Sequence, residues 1–161
     1  MARSVGADTR WFLVLLTVAT LLQAATAVAR PMASYRALDI GMDPSSLGLV
    51  AAAFAILPVV FALSIGRTID RLGEFPFLLC SAALMAVASI ALALIGTAVA
   101  LLALVAVLGL AQLTFVVANQ TLVGSRSPTE SYDSRYGYLS FVASFGQLIG
   151  PASIAIRRPR S

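Results

Sequence analysis

The sequence predicts an all-α membrane protein with about five transmembrane helices. Of its 161 residues, 60% are hydrophobic and 11% are charged, and its mean hydropathy is +0.94. A soluble domain is roughly 45–50% apolar and about 25% charged. A soluble fold of this length has too little interior for so much apolar surface, and disorder requires low hydrophobicity. Both of those classes are therefore excluded.

Four uncharged runs locate the helices, since a bilayer core needs about 20 apolar residues. They cover residues 11–29, 44–66, 75–125 and 136–156, and the third is long enough for two spans divided at Gly96-Thr97. None shows the alternation of barrel strands. The predicted helices of this single domain, 1–161, are 11–32, 44–65, 76–96, 99–120 and 136–156, followed by a basic tail, 157–161.

Local signals support the second helix and complicate the first. Asp43-Pro44 has the pattern of an N-cap followed by proline at the first helical position. Pro58 falls inside the second helix and predicts a kink. Pro31 stands where the first helix leaves the bilayer, so it is expected either to bend that helix or to end it.

The arginines predict a cytoplasmic N-terminus, because short cytoplasmic loops are enriched in basic residues. With connecting segments 66–75 and 121–135 inside, six arginines lie inside and two lie in the first outer loop: Arg3, Arg10, Arg67, Arg71, Arg126 and Arg135 against Arg30 and Arg36. The tail contradicts this bias by placing Arg157, Arg158 and Arg160 outside. A truncated or frameshifted product would explain such a tail, and an inner or plasma membrane is the expected location.

The N-terminus has a second interpretation. Two arginines precede the apolar stretch 11–22, and Ala25-Thr26-Ala27 resembles a signal-peptidase site. The apolar stretch continues to Ala29, close to full spanning length, which favours a retained helix. Cleavage would leave the other four helices in the same orientation.

The residue counts exclude several functions. The chain has no His and a single cysteine, Cys80, so no His-based metal site, disulfide or cysteine cluster is expected, and no cofactor. The arginines stand singly at the ends of apolar runs, as in membrane topology and not as in nucleic-acid binding. An intramembrane enzyme is disfavoured, because no span contains a carboxylate or His to serve as a base.

The segment after the second predicted helix carries a motif. It contains Gly66, three residues, Asp70-Arg71, one residue and Gly73. Gly66 would permit close backbone approach at a helix end and Gly73 a positive φ, while Asp70 could cap a nearby helix. The pattern resembles the loop between helices 2 and 3 of the major facilitator superfamily, although Glu74 stands where that family has basic residues.

This resemblance implies the N-terminal helical bundle of a secondary transporter. It implies that the loop contacts the other half of the transporter and stabilises the protein on one side of the alternating-access cycle. In the fifth helix, Gly146, Gly150 and Pro151 resemble the start of an antiporter motif, and a plain packing face of small residues is the alternative. In the fourth helix Gly109 is present, but Val105 replaces the arginine that many proton-coupled members have.

Polar residues inside the spans are candidates for a solute pathway, since such groups face the protein interior or water. The superfamily uses helices 1 and 4 for this pathway, which makes Gln23, Arg30, Gln112 and Asn119 the candidates. Interhelical hydrogen bonding is the alternative role for the amides, and interfacial snorkelling is the alternative for Arg30.

Two functions remain open. The first is a fragment of a small-solute transporter, with efflux by proton antiport in the full-length protein. Its partners would be the lipid bilayer, an unknown small molecule and a missing C-terminal half. The second is a small membrane adaptor or assembly subunit without transport activity. The Gly66–Gly73 motif favours the transporter.

Overall fold

The computed structural model describes the backbone of residues 2–156, with side-chain surroundings for residues 10–128 and 130–149. The arginine tail, 157–161, lies outside the described residues. Within residues 2–156 the structure contains helices and no strand, which confirms the all-α prediction. The helices are α1 (Ala2–Asp39), α2 (Leu47–Leu72), α3 (Glu74–Leu94), α4 (Ala98–Arg126) and α5 (Tyr132–Ile156), with 3₁₀ turns at Pro44–Ser46 and Thr129–Ser131.

Four helices are long and apolar enough to cross a membrane. In the described part of the chain they occupy Arg10–Asp39, Pro44–Leu72, Glu74–Leu94 and Ala98–Arg126. These segments correspond to α1 to α4. The fifth span, which was placed at 136–156, falls within α5 and stays a prediction.

The helices extend beyond the predicted spans, because a helix does not have to stop where the apolar segment stops. α1 continues through Pro31 to Asp39, so this proline does not end the helix. α2 contains Pro58 and continues to Leu72, and α4 continues to Arg126. Segments 66–72 and 121–126, which were predicted as parts of connecting loops, are therefore helical. α3 and α4 are separated by residues 95–97, at the predicted break.

The connection between α1 and α2 confirms the predicted cap. The Asp43 side chain accepts a hydrogen bond from the Ser45 backbone N–H at 2.8 Å, and Pro44 occupies the first position of the following turn. Hydrogen bonds from the Ser45 side chain and from the Ser45 backbone hold the pKa of the Asp43 carboxyl below its usual value. The cap fixes the start of the second span.

The chain divides into two compact units. Among the described residues, one contains 2–28 and 126–156, and the other contains Ala29–Ser125. The first unit thus combines the N-terminal part of α1 with α5. The second combines the C-terminal part of α1 with α2, α3 and nearly all of α4, around a buried cluster of Ala33, Ala37, Val50, Leu92, Leu101 and Val105.

Candidate functional site

A cavity of about 240 Å³ lies within the second unit, between α1, α2 and α4. Most of its lining is aliphatic, but one wall carries a cation, a hydroxyl and an aromatic ring. The lining residues are Arg30, Pro31, Ala33, Ser34, Val50, Ala51, Phe54, Val105 and Leu108. The arrangement is that of a small-molecule site, an apolar concavity with few polar groups.

Arg30 is the charged group of this cavity. Its guanidinium carbon lies 4.3 Å from the centroid of the Phe54 ring, within cation–π range. Because a helix rises 1.5 Å per residue, Arg30 is about 13 Å along α1 from Asp39, where the helix ends. In the described part of the chain its guanidinium has no carboxylate partner: the one ion pair there joins Arg36 and Asp39. Arg30 is exposed in the structure, and a charged side chain within a membrane span normally faces a protein cavity or a partner.

Gly109 holds α4 directly against α2. A Cβ added at Gly109 would stand 1.9 Å from the Phe54 carbonyl oxygen and 2.9 Å from the Phe54 carbonyl carbon. That carbonyl lacks its usual helical partner, because Pro58, four residues later, has no N–H. The glycine thus permits a backbone contact at the carbonyl that the proline frees. This contact fixes the backbone of the residue whose ring faces Arg30.

The Gly66–Gly73 motif connects α2 to α3 through one residue. Gly73 has φ +85° and ψ 160°, and its N–H donates to the Ile69 carbonyl at 2.9 Å. The predicted positive φ is confirmed. The prediction that Gly66 stands at a helix end in close backbone contact is wrong: it lies inside α2, and no atom of the described residues lies within 4 Å of an added Cβ.

Asp70 and Arg71 of the same motif are exposed in the last turn of α2. The predicted capping by Asp70 is not formed, because α3 begins after Gly73 without a side-chain hydrogen bond at its N-cap. The α2 backbone continues helical through residue 72, which keeps Asp70 on the α2 surface. Arg71 lies where a cation favours the helix dipole. Among the described residues, neither side chain has an ion pair or hydrogen bond.

Two contacts that the sequence did not reveal fix the ends of α3. Arg36 of α1 donates through Nε to the Ile95 carbonyl at 2.9 Å, which satisfies an orphan acceptor at the helix C-terminus. At the other end, the Ser125 hydroxyl donates to the Glu74 carboxylate at 2.8 Å. Glu74, which departs from the family motif, thus joins α3 to α4. No periodic signal marks these contacts, because they join residues 59 and 51 positions apart.

The other pathway candidates are distributed over both units. Gln23 is buried in the first unit, and Asn119 is buried in α4 within the second. The Asn119 Oδ1 atom has no hydrogen-bond partner among the described residues. Gln112 is half-buried two turns before it on α4. Of the four candidates, only Arg30 lines the cavity described above.

The glycine motif of α5 packs against α1 in the first unit. A Cβ added at Gly146 would stand 2.6 Å from the Thr20 carbonyl oxygen and 3.0 Å from the Gln23 Cβ. This is the tight contact that the small-residue packing alternative expects. Gly150 and Pro151 continue α5, but their side-chain surroundings lie outside the described residues.

Several apolar helices of membrane-spanning length, with a cavity between three of them, define a multi-pass membrane protein. The family model described as Major Facilitator Superfamily matches residues 15–156. The chain therefore belongs to the major facilitator superfamily, as its motif indicated. The members of this family are transporters and not enzymes.

Curated relatives include the quinolone resistance protein NorA of Staphylococcus aureus, from strains Mu50 and COL among others. Each of these two is 28% identical over 114 residues, which is 70% of this chain and 29% of the relative. The chain thus matches less than one third of the length of these relatives. No solved structure matches the chain.

Proposed function

We propose that this chain forms part of the solute pathway of a secondary transporter that exports a small molecule. The supporting observation is the Arg30 cavity between α1, α2 and α4, in a chain that belongs to a transporter family. Transporters of this kind bind their solute near the bilayer midplane, between two bundles that rock about the site. The chain would supply one such bundle, and the rest of a longer protein would supply the other.

Export driven by proton antiport is the proposed activity of that longer protein. The relatives are named for resistance to quinolones, which supports removal of a small molecule from the cell. The chain has no His, and the acidic residues within its spans, Asp39, Asp70 and Glu74, all lie at or near the ends of those spans. The protonatable group of an antiport cycle would therefore lie at the ends of these spans or outside them.

The proposed orientation places the N-terminus in the cytoplasm of a cell bounded by an inner or plasma membrane. The support is the arginine bias toward the end that holds Arg67, Arg71 and Arg126. Single cysteines at Thr68 and Gly96, in a Cys80→Ser background, test it because both positions are exposed. An impermeant thiol reagent added to intact cells should label Gly96→Cys and leave Thr68→Cys unlabelled. The reverse pattern would contradict the orientation.

A chimera tests the transport proposal. In it, this chain replaces the segment of NorA that it matches. We expect cells carrying the chimera to grow in the presence of a quinolone, and cells carrying its Arg30→Gln variant to lose this resistance at equal membrane abundance. Arg67→Gln is the matched control, because it removes an exposed arginine of α2 that does not line the cavity. A chimera present in the membrane but without resistance would favour the adaptor alternative.

A further inference from the structure

The cavity around Arg30 contains a cation with no counter-charge. In the described part of the chain its guanidinium has no ion pair or hydrogen bond, and it lies 4.3 Å from the centroid of the Phe54 ring. A ring face attracts a cation, but it does not neutralise the charge. Arg30 is exposed in the structure, and charged side chains within membrane proteins usually pair with an opposite charge, which the described residues do not supply at this site. An anionic ligand would complete it.

Ser34 adds an unused hydrogen-bond donor to the same wall. It lies one turn after Arg30 on α1 and lines the cavity. Other hydroxyls of this helix donate to the carbonyl four residues earlier, as Thr26 does to Leu22 at 2.9 Å. Among the described residues, Ser34 has no hydrogen bond, so its O–H is available to a ligand. A guanidinium and a hydroxyl one turn apart match the two oxygens of a carboxylate.

The rest of the cavity requires an apolar body. Besides Arg30 and Ser34, the lining includes the Phe54 ring and the aliphatic side chains of Val105 and Leu108. An apolar cavity of about 150 Å³ is large enough to hold benzene. The volume here, about 240 Å³, therefore accommodates one aromatic ring with a carboxylate attached.

We propose that this cavity binds a small aromatic carboxylate, with the carboxylate on Arg30 and Ser34 and the ring against Phe54 and Leu108. The inference rests on the proposed transport function and names the ligand class of that site. A cation is repelled by the guanidinium. A neutral ring gains the apolar contacts but leaves Arg30 without a counter-charge. Anionic charge and an aromatic body are both needed for tight binding.

Benzoate is the probe, and the full 161-residue chain in lipid nanodiscs is the sample. Equilibrium dialysis with labelled benzoate should show saturable binding at one site per chain. Benzamide and benzylamine, which keep the ring but lack the negative charge, should compete about tenfold to a hundredfold less well, as expected for loss of a charge-assisted hydrogen bond. Acetate, which keeps the charge but lacks the ring, should also compete poorly.

Two Arg30 variants and one control variant assign the binding to the cavity. Arg30→Gln should weaken benzoate binding by about tenfold or more, and Arg30→Lys should weaken it less because the charge is kept. Arg67→Gln should bind benzoate as the parent does. If Arg30→Gln does not fold, by circular dichroism and gel filtration, the competition series on the parent chain decides alone.

Equal competition by benzoate and benzamide, or no saturable binding by folded parent chain, would overturn the ligand class. So would an Arg30→Gln variant that folds and binds benzoate as Arg67→Gln does. The chimera separates this result from the transport proposal. An exporting chimera together with a chain that binds no benzoate would reject the ligand class alone. Benzoate binding by a chain whose chimera does not export would reject transport and keep the site.

Discussion

Gly109→Ala should destabilise the second unit. The new methyl carbon would stand 1.9 Å from the Phe54 carbonyl oxygen, whereas ordinary contact begins at 3.4 Å. The obstacle is helix backbone, so no side-chain rotation can make room. α4 would have to move away from α2. A gap of 0.5–1 Å already removes about a quarter to a half of the dispersion energy of each contact along an interface.

The expected magnitude combines two opposed terms. Overpacking of a close contact costs about 1–3 kcal/mol, and the upper end applies because both groups are backbone. Alanine in place of glycine favours the helix by about 1 kcal/mol. The expected result is a net loss of about 2 kcal/mol. The assay is reversible unfolding in mixed micelles, followed by circular dichroism.

Gly66→Ala is the matched control for Gly109→Ala. Gly66 is also inside a helix, but no atom in the described part of the chain lies within 4 Å of its added Cβ. This variant should therefore be as stable as the parent or slightly more stable. The reasoning would be refuted if Gly109→Ala unfolded at the same denaturant fraction as Gly66→Ala.

Four further predictions follow from single residues and from the extent of the chain. Gly73→Ala should lower stability by about 1–3 kcal/mol in the same unfolding assay, because φ +85° with ψ 160° is a glycine conformation; unchanged stability would show that this connection adapts. Asp70→Asn should change the stability of the chain by less than about 0.5 kcal/mol, since its carboxylate is exposed and unpaired among the described residues. It should nevertheless reduce quinolone resistance in the NorA chimera, and full resistance would reduce the motif to a topological anchor. The Asp43 pKa is lowered in the fold, so its stabilisation is complete above the unfolded value, 3.8, and is lost as pH falls through the lower folded value. Asp43→Asn should thus be less stable than the parent at pH 7, and the two should converge in acid; a gap independent of pH would contradict the cap. The 161-residue chain alone, in liposomes with a proton gradient, should give no saturable solute flux, and such flux would indicate a small carrier working as a homo-oligomer.

The features that sequence predicted best are those determined locally. The spans follow from uninterrupted apolar runs, and Asp43-Pro44 has the composition of a cap. Gly73 takes the positive φ expected of a glycine between two helices. Gly66 shows the limit of the same reasoning. A glycine several residues before a turn does not end a helix when the residues on both sides of it are compatible with a helix.

The features that sequence could not predict depend on distant residues. Gly109 and Phe54 are far apart in the chain, and their contact depends on how α2 and α4 pack. The cavity likewise joins Arg30 to Phe54 and Leu108 from three helices. The sequence identified Arg30 as a polar residue within a span, but nothing in it indicated an aromatic partner. The division into two units is also a property of packing.

The most direct measurement of the central claim is the accessibility of the cavity to water. In a Cys80→Ser background, Ser34→Cys reports on the cavity wall, and Val60→Cys reports on a side of α2 that is 65% exposed in the structure and would face lipid. Since only a hydrated thiolate reacts, a solute pathway predicts that an impermeant thiol reagent labels Ser34→Cys at least about tenfold faster than Val60→Cys. Equal, slow labelling at both positions would contradict the assignment of this cavity to a solute pathway.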